Sequence, residues 1–542
     1  MKLRDLSVLV LGLGESGLAM ARWCAAQGAR VRVADSRAQP PALATLQREL
    51  PAVQAHCGDL HAELLGDAQL LLRSPGIAPH AGEFAAIVQA AAARSVPLAG
   101  ELHLFQWALD DLRAQQAYAP KVVAITGTNG KTTVTRLTGL MLERAGWSVA
   151  VAGNISPSML DALQAALQAD ALPQAWVLEL SSFQLHGMDS FAADAATVLN
   201  LTQDHLDWHG DMAAYAADKS AIFGNASAEG VMVLNRDDAA VMALQRPGRR
   251  LRRFGLQPPQ QPGDWGVLRE GGMDWLVRAL PEDTPRNRRG AAISPQGAGQ
   301  CLGRPGALPG EDPPRNRRGA ATSPQGAGQG PGRPSALPEA VLQVQRLMPV
   351  EALRIQGVHN VANALAALAL GDAVGASLAP MLHALRDYRG EPHRMQTVAV
   401  LDGVRWIDDS KGTNVGATVA ALAGMDVPVV LIAGGDGKGQ DFSPLRAQAA
   451  RLRAAVLIGR DAQAIAAQLQ GLVPIEFTQS LEQAVQHAAT LAKTGDAALL
   501  SPACASLDMF RNYAHRAEVF VAAVRELALS QGQVWTEGAD HA

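Results

Sequence analysis

An α/β fold of three Rossmann-like units with mainly parallel sheets is what this sequence predicts, and three observations carry the prediction. Runs rich in Val, Ile and Leu alternate with Ala/Leu-rich amphipathic segments along most of the chain, the pattern of strands covered by helices. Two glycine loops, at residues 12–17 and 127–133, each lie between an apolar run and an amphipathic segment. The 542 residues exceed what one core supports, which sets about three or four domains at roughly 150 residues each.

Composition narrows the class. With 48% apolar and 18% charged residues and a net charge of −4, the chain can fill cores and has no charge excess that would mark a nucleic-acid binder. Cys24, Cys57, Cys301 and Cys504 lie far apart with no C-x-x-C pair, so neither a disulfide framework nor a zinc site is indicated and a cytoplasmic setting is expected. The first apolar run, 7–13, leads straight into a glycine loop and reads as a buried strand, not a signal peptide. No apolar stretch reaches the ~18 residues of a membrane span.

The first unit, residues 1–102, opens with that strand. Gly12-Leu13-Gly14-Glu15-Ser16-Gly17 follows, and Asp35 closes the next strand. This is the dinucleotide fingerprint, which specifies a diphosphate at a helix N-terminus and an acid near a ribose. A nicotinamide dinucleotide and a UDP-sugar both supply those features.

In the second unit, 103–388, a polar segment at 110–120 precedes the first strand. A strand at 122–126 runs into Gly127-Thr128-Asn129-Gly130-Lys131-Thr132-Thr133, and a helix with Val134, Leu137 and Met141 on one face follows. Strand, glycine turn and helix in this order form a P-loop-type phosphate cradle. Glycines let backbone amides approach phosphates, the helix adds its positive end, Lys131 reaches the β/γ oxygens and Thr132 can hold Mg²⁺. The first glycine of the general pattern would fall on Ile125. Glu179, closing the strand 176–180, and His205, in Asn200-Leu201-Thr202-Gln203-Asp204-His205, are further candidates for Mg²⁺, because strand ends point at the ligand crevice.

Residues 281–338 break the pattern. They are dense in Pro, Gly and Arg, and Pro285-Arg286-Asn287-Arg288-Arg289-Gly290 recurs as Pro314-Arg315-Asn316-Arg317-Arg318-Gly319. A disordered surface insertion is expected, since so little apolar surface cannot offset the entropy of ordering. An interaction arm is the alternative. The third unit, 389–542, carries strands at 427–433, 454–459 and 497–501.

Taken together, Gly127 to Thr133, Glu179-Leu180-Ser181-Ser182-Phe183-Gln184, Asp204-His205, His359-Asn360-Val361-Ala362-Asn363 and His393-Arg394 resemble, in type and order, the Mur ligase family. The glycine loop at 12–17, Asp408-Asp409-Ser410-Lys411-Gly412-Thr413-Asn414, Gly434-Gly435-Asp436-Gly437-Lys438 and the stretch from Ser501 to Phe510 are similar to its D-glutamate-adding member.

The resemblance implies an ATP-dependent ligase of peptidoglycan precursor synthesis, acting as a monomer on UDP-N-acetylmuramoyl-L-alanine, D-glutamate and ATP with Mg²⁺, through an acyl phosphate. It implies that Thr132, Glu179, His205 and Lys219, the last as a carbamate, hold the metal, with Lys131, Glu179, His205 and Lys219 catalytic. Asn363 would meet the adenine, Arg394 the phosphates and Asp409 the ATP ribose. Lys411, Lys438, Ser506 and Phe510 would position D-glutamate, and Gly14, Ser16, Asp35, Ser36, Ser74, Gly76 and Asn154 the UDP-sugar. No role is implied for Leu206-Asp207-Trp208-His209-Gly210, nor for the repeat insertion. Three rivals remain open at this point: a nucleotide-dependent dehydrogenase built on the first glycine loop, a non-catalytic nucleotide-binding protein using the Arg-rich insertion as an interaction arm, and a sister ligase adding another amino acid.

Overall fold

Strand Ser7–Leu11 is buried at every position, which suits a strand at the middle of a parallel sheet covered on both faces. The computed structural model describes residues 2–78, 82–224, 229–280, 342–355 and 357–533. Among these residues the first sheet has five parallel strands, in the order Gln54–Cys57, Arg30–Asp35, Ser7–Leu11, Leu70–Arg73, Leu98–Ala99. Strand order reverses beside Ser7–Leu11, so a crevice opens at its carboxyl end, where the first glycine loop lies. A Cβ on Gly17 would overlap the Gly12 carbonyl oxygen, and only glycine lets helix Glu15–Ala26 settle that close to the loop.

The second sheet has nine described strands. Its strand Lys121–Thr126 lies between Ala175–Glu179 and Ala195–Val198, all parallel. Helix Lys131–Arg144 covers one face with Val134, Leu137 and Met141 fully buried, in one core with helix Val358–Ala373. At about 1.5–3 kcal/mol for each such side chain, this stripe anchors the helix that begins at Lys131.

Two antiparallel pairings on this sheet have no counterpart in the sequence reading. Met273–Ala279 pairs with Asp264–Glu270 on one side and with Val344–Pro349 on the other. The repeat insertion, 281–338, lies outside the described residues. It joins two strands that are already paired, and the Leu280 amide donates to the Gln343 carbonyl at 2.8 Å to continue their ladder.

The third sheet runs Gln396–Leu401, Val404–Asp408, Ala497–Leu500, Val429–Gly434, Leu452–Ile458, Ile475–Phe477. Its first pair is antiparallel and the rest are parallel. The three strands expected here appear as Val429–Gly434, Leu452–Ile458 and Ala497–Leu500. Helix Glu101–Gln116 ties the first sheet to the second: Phe105 meets Trp176 edge to face at 5.1 Å within one shared core. No described helix is long and apolar enough to cross a membrane.

Candidate active site

The second glycine loop is held against the segment that follows strand Ala195–Val198. Asn200 accepts from the Asn129 amide through Oδ1 at 2.8 Å and donates from Nδ2 to the Asn129 carbonyl at 3.0 Å. Thr128 Oγ1 donates to the Thr202 carbonyl at 3.1 Å and accepts from the Thr202 amide at 3.0 Å. Gly130 has φ 84°, a conformation glycine adopts freely, and a Cβ there would lie 2.5 Å from Asn363 Oδ1. No side chain caps the helix starting at Lys131, so its first amides are available to an anion. Lys131 Nζ donates to the Gly127 and Thr128 carbonyls at 3.0 and 2.9 Å. Burial pulls its pKa down and Arg394 adds to this, while Glu179 and Asp204 oppose it.

The candidate metal ligands sit beside this loop. Glu179 is buried, Oε1 accepts from Asn154 Nδ2 at 3.1 Å, and Oε2 has no hydrogen-bond partner. An orphaned buried carboxylate oxygen is what a cation would satisfy. Burial lowers the His205 pKa to about 4, against the pull of Asp204 and with Lys438, Lys131 and Lys219 adding to the drop. That leaves the imidazole neutral and able to ligate. Lys219 is 1% exposed, donates to the Gly127 carbonyl at 3.0 Å and lies over the Tyr215 ring at 4.6 Å. Burial first, and then the charge of Lys131, drive its pKa well below that of a free lysine. Among the described residues no three His, Cys, Asp or Glu side chains form a ready metal site, so Glu179 and His205 need a further oxygen donor. A carbamate on Lys219, or Thr132, would fit that need.

Two cavities flank the loop. One of about 300 Å³ is lined by Asn129, Gly130, Asn363, Arg394, Asp409 and Lys411, among others. It gathers residues expected to hold ATP from both the second and the third unit. Asp409 there is buried and its pKa is raised to about 7 by desolvation, against hydrogen bonding from Ser501 and the charge of Arg394. A second cavity of about 500 Å³ is bounded by Ser16 of the first unit, Thr132 and Asn154 of the second, and Arg394, Lys411 and Tyr513 of the third. Arg394 and Lys411 therefore wall both. Lys411 lies 3.7 Å from the Tyr513 ring centroid, and burial lowers its pKa to about 8, with Arg394 contributing.

Other expected residues stand apart from these cavities. Asp35 accepts from the Leu13 amide at 2.7 Å and from Arg37 Nε and Nη2 at 2.8 and 2.7 Å. Burial raises its pKa, but the Arg37 and Leu13 bonds outweigh that and leave it lowered. Ser74 Oγ donates to the Gly12 carbonyl at 3.1 Å, bracing the first glycine loop. Gly14, Ser36 and Gly76 adjoin that loop or its neighbours in sequence and wall neither cavity. Ser506 and Phe510 share a turn, the Phe510 amide donating to the Ser506 carbonyl at 2.8 Å, and Lys438 has φ 49° in the loop after Val429–Gly434. None of these three walls either cavity.

Several participants escaped the sequence reading. Asn414 pairs with Asn129 by reciprocal amide bonds of 3.0 and 3.1 Å, docking the third unit on the glycine loop while it caps helix Val415–Ala423. Its place after the lysine of Lys411-Gly412-Thr413-Asn414 was the available signal. Arg37 and Asn200 stand in quoted or adjoining segments beside the acidic or histidine residues that drew notice. His359, walling the first cavity with an unpartnered Nδ1, carried none beyond its motif.

Family comparisons match this arrangement along the chain. Residues 6–100 match the N-terminal domain of the MurD-like Mur ligases, 125–265 the Mur ligase middle domain, and 393–504 the Mur ligase glutamate ligase domain. Relatives named UDP-N-acetylmuramoylalanine--D-glutamate ligase from Cupriavidus metallidurans and Burkholderia pseudomallei are each 54% identical, over 97% of this chain and 98% of theirs. Among solved structures, MurC of Thermotoga maritima superposes with TM-score 0.53 at 17% identity, covering 96% of this chain and 100% of that one. MurF of the same organism, solved with ADP, gives 0.53 at 15% identity over 97% and 96%. At those identities the structural likeness concerns the fold.

Proposed function

Since this chain belongs to the Mur ligase family, we propose that it joins D-glutamate to UDP-N-acetylmuramoyl-L-alanine at the expense of ATP, in the cytoplasm and as a monomer. One observation carries the reading: the two cavities share Arg394 and Lys411, so a triphosphate on one side and a sugar-borne carboxylate on the other meet at the same cations. The nicotinamide reading is dropped, because it leaves the second glycine loop and both cavities without a task. D-glutamate is the acceptor in the names of the 54% identical relatives, which favours it over another amino acid.

In this mechanism the carboxylate oxygen of the muramoyl-alanine attacks the γ-phosphorus of ATP. The bond to the β-bridging oxygen breaks, ADP leaves, and an acyl phosphate remains. The D-glutamate amine then attacks the acyl carbon, phosphate departs and the amine loses a proton. Phosphoryl transfer between anions demands charge neutralisation and alignment more than covalent help. Lys131 leaves the Gly127 and Thr128 carbonyls to take the β/γ oxygens, while the amides of 127–133 hold the phosphates. Asn363 faces the adenine, Asp409 the ribose and Arg394 the phosphates.

Mg²⁺, which Thr132, Glu179, His205 and carbamylated Lys219 would hold, supplies further charge neutralisation when bound. A buried neutral amine at Lys219 is the form that attacks CO₂, its lone pair bonding to carbon as a proton leaves. Asn154 orients the muramoyl end, and Ser16, Asp35, Ser36, Ser74 and Gly76 hold the uridine diphosphate end. Lys411, with Lys438, Ser506 and Phe510, receives the D-glutamate carboxylates. Phosphate release measured over a panel of D- and L-amino acids tests the whole scheme. D-glutamate is expected to be preferred, and turnover with another amino acid instead would overturn it.

A further inference from the structure

The segment after His205, helix Leu206–His209, has no part in the chemistry above, yet it sits where two units meet. Arg73 ends strand Leu70–Arg73 of the first sheet and is buried. Its Nη1 donates to the Ile77 carbonyl, closing the Ser74-Pro75-Gly76 loop on itself. Its guanidinium lies 5.5 Å from the Trp208 ring centroid, in the second unit. Burial lowers the Arg73 pKa to about 10 against the charge of Asp218, so the cation is desolvated and its attraction to an aromatic face is strong. The Trp208 Nε1 is buried without a partner. What this site uses is the ring face, not the N–H.

Behind Trp208 the cluster continues into the chemistry. The Trp208 ring touches His186, His209 and Phe183 at 5.0, 4.5 and 4.9 Å. The His209 side chain is fully buried; Nδ1 donates to Asp218 Oδ2 at 2.8 Å and Nε2 lies 2.9 Å from Ser182 Oγ. Asp218 also accepts from His186 Nδ1 at 3.0 Å. Asp218 immediately precedes Lys219, and Ser182 follows Glu179 by three residues. One imidazole therefore joins the backbone segments that carry Glu179 and Lys219. Phe183 stacks on this imidazole at 5.5 Å and meets His205 edge on at 4.7 Å.

We infer that Trp208 and His209 are positioning residues that couple the loop at 74–77, where the UDP-sugar is held, to the segments bearing Glu179, His205 and Lys219. The inference rests on the ligase reading of the site. Neither residue walls either cavity, so each acts through others. Seating the sugar nucleotide on the loop pulls on Arg73, and through Trp208 the same contacts set the segments beside the phosphate loop. A shared, tightly packed cluster of this kind makes mutations non-additive.

Calorimetric titration of the full chain with UDP-N-acetylmuramoyl-L-alanine, without ATP or Mg²⁺, tests this. Trp208→Leu is expected to weaken binding about tenfold, whereas Trp208→Phe, which keeps an aromatic face, stays within about threefold. Arg73→Lys is expected to cost about fivefold, and the Arg73→Lys/Trp208→Leu double variant to be no more than about twofold weaker than the worse single. The KM for ATP should stay within about twofold in all of them, which a general loosening of the fold would not respect. Binding within twofold of wild type for Trp208→Leu, or losses that multiply in the double variant, overturns the inference. Should Trp208→Leu fail to fold, Arg73→Lys decides, and unweakened binding there overturns it. Wild-type protein that binds no UDP-N-acetylmuramoyl-L-alanine would instead remove the ligase reading, so the two failures are told apart.

Discussion

Arg394 Nη2 donates to Thr132 Oγ1 at 2.7 Å, across 262 residues of chain. The third unit thus touches the first turn of the phosphate-loop helix through the hydroxyl expected to face Mg²⁺. Were Thr132 to hold Mg²⁺, its hydroxyl would give up this bond, and the Arg394 guanidinium would be free to meet the phosphates. Adding an ATP analogue, Mg²⁺ and the UDP-sugar is expected to alter the relation of the units and hence the X-ray scattering profile. An unchanged profile counts against this exchange.

Lys131 is the group without which the scheme has no phosphate grip. Lys131→Ala is expected to lower kcat by about 10³-fold or more, in line with the loss of a preorganised charge at a phosphoryl transfer. Phosphate release with all three substrates measures it, and an undiminished rate sinks the mechanism.

A carbamate on Lys219 would make activity depend on dissolved CO₂. Protein freed of bicarbonate is expected to lose most of its activity and regain it when bicarbonate is restored, whereas Lys219→Ala should be inactive under both conditions. Activity indifferent to CO₂ would leave Lys219 with a structural task only.

Glu101 starts the helix that joins the first two units, is 2% exposed, and accepts from the Leu160 amide at 3.2 Å. Burial raises its pKa from 4.5 to about 7, against hydrogen bonds from Leu160, Ser16 and Ser158. A carboxyl raised in the folded state binds more protons there than when unfolded, so its contribution is whole below pH 4.5 and is lost as the pH rises through about 7. Glu101→Gln is therefore expected to melt a few degrees above wild type at pH 8, a gain of about 1–3 kcal/mol. The gain should vanish near pH 4.5. Equal melting temperatures at both pH values would contradict the assignment.

Removing 281–338 leaves Glu339, Ala340, Val341 and Leu342 to connect Leu280 with Gln343, which are already hydrogen-bonded at 2.8 Å. Four residues close an antiparallel hairpin without strain. The shortened chain is expected to keep ligase activity within about twofold of the full chain, as a long loop costs only ~0.6 kcal/mol for each doubling. Complete loss of turnover would assign the repeat a functional part.

Much of the architecture was legible because its signals are local. The run at 122–126, the glycine turn and the stripe of Val134, Leu137 and Met141 follow one another along a single continuous segment, and strand, cradle and helix follow directly. The antiparallel strands at Met273–Ala279 and Val344–Pro349 were not legible: their partnership spans the repeat, and no periodicity reports a pairing across so many residues. Glu179 and His205 were found from strand ends and motif, whereas Asn414 and Arg37 matter through partners that spacing does not reveal.

The sequence by itself determined a P-loop-type glycine turn at 127–133 and a second glycine loop at 12–17, since each depends on neighbours within a few residues, and the family order of motifs, which is linear along the chain. Only the tertiary structure decided that Arg394 reaches Thr132, that Asn414 clasps Asn129 and that His209 bridges Ser182 and Asp218. The physical reason is burial and long-range closure. The low pKa values of Lys219 and His205 arise from desolvation by chain segments far away in sequence, and no local pattern encodes which segments those are.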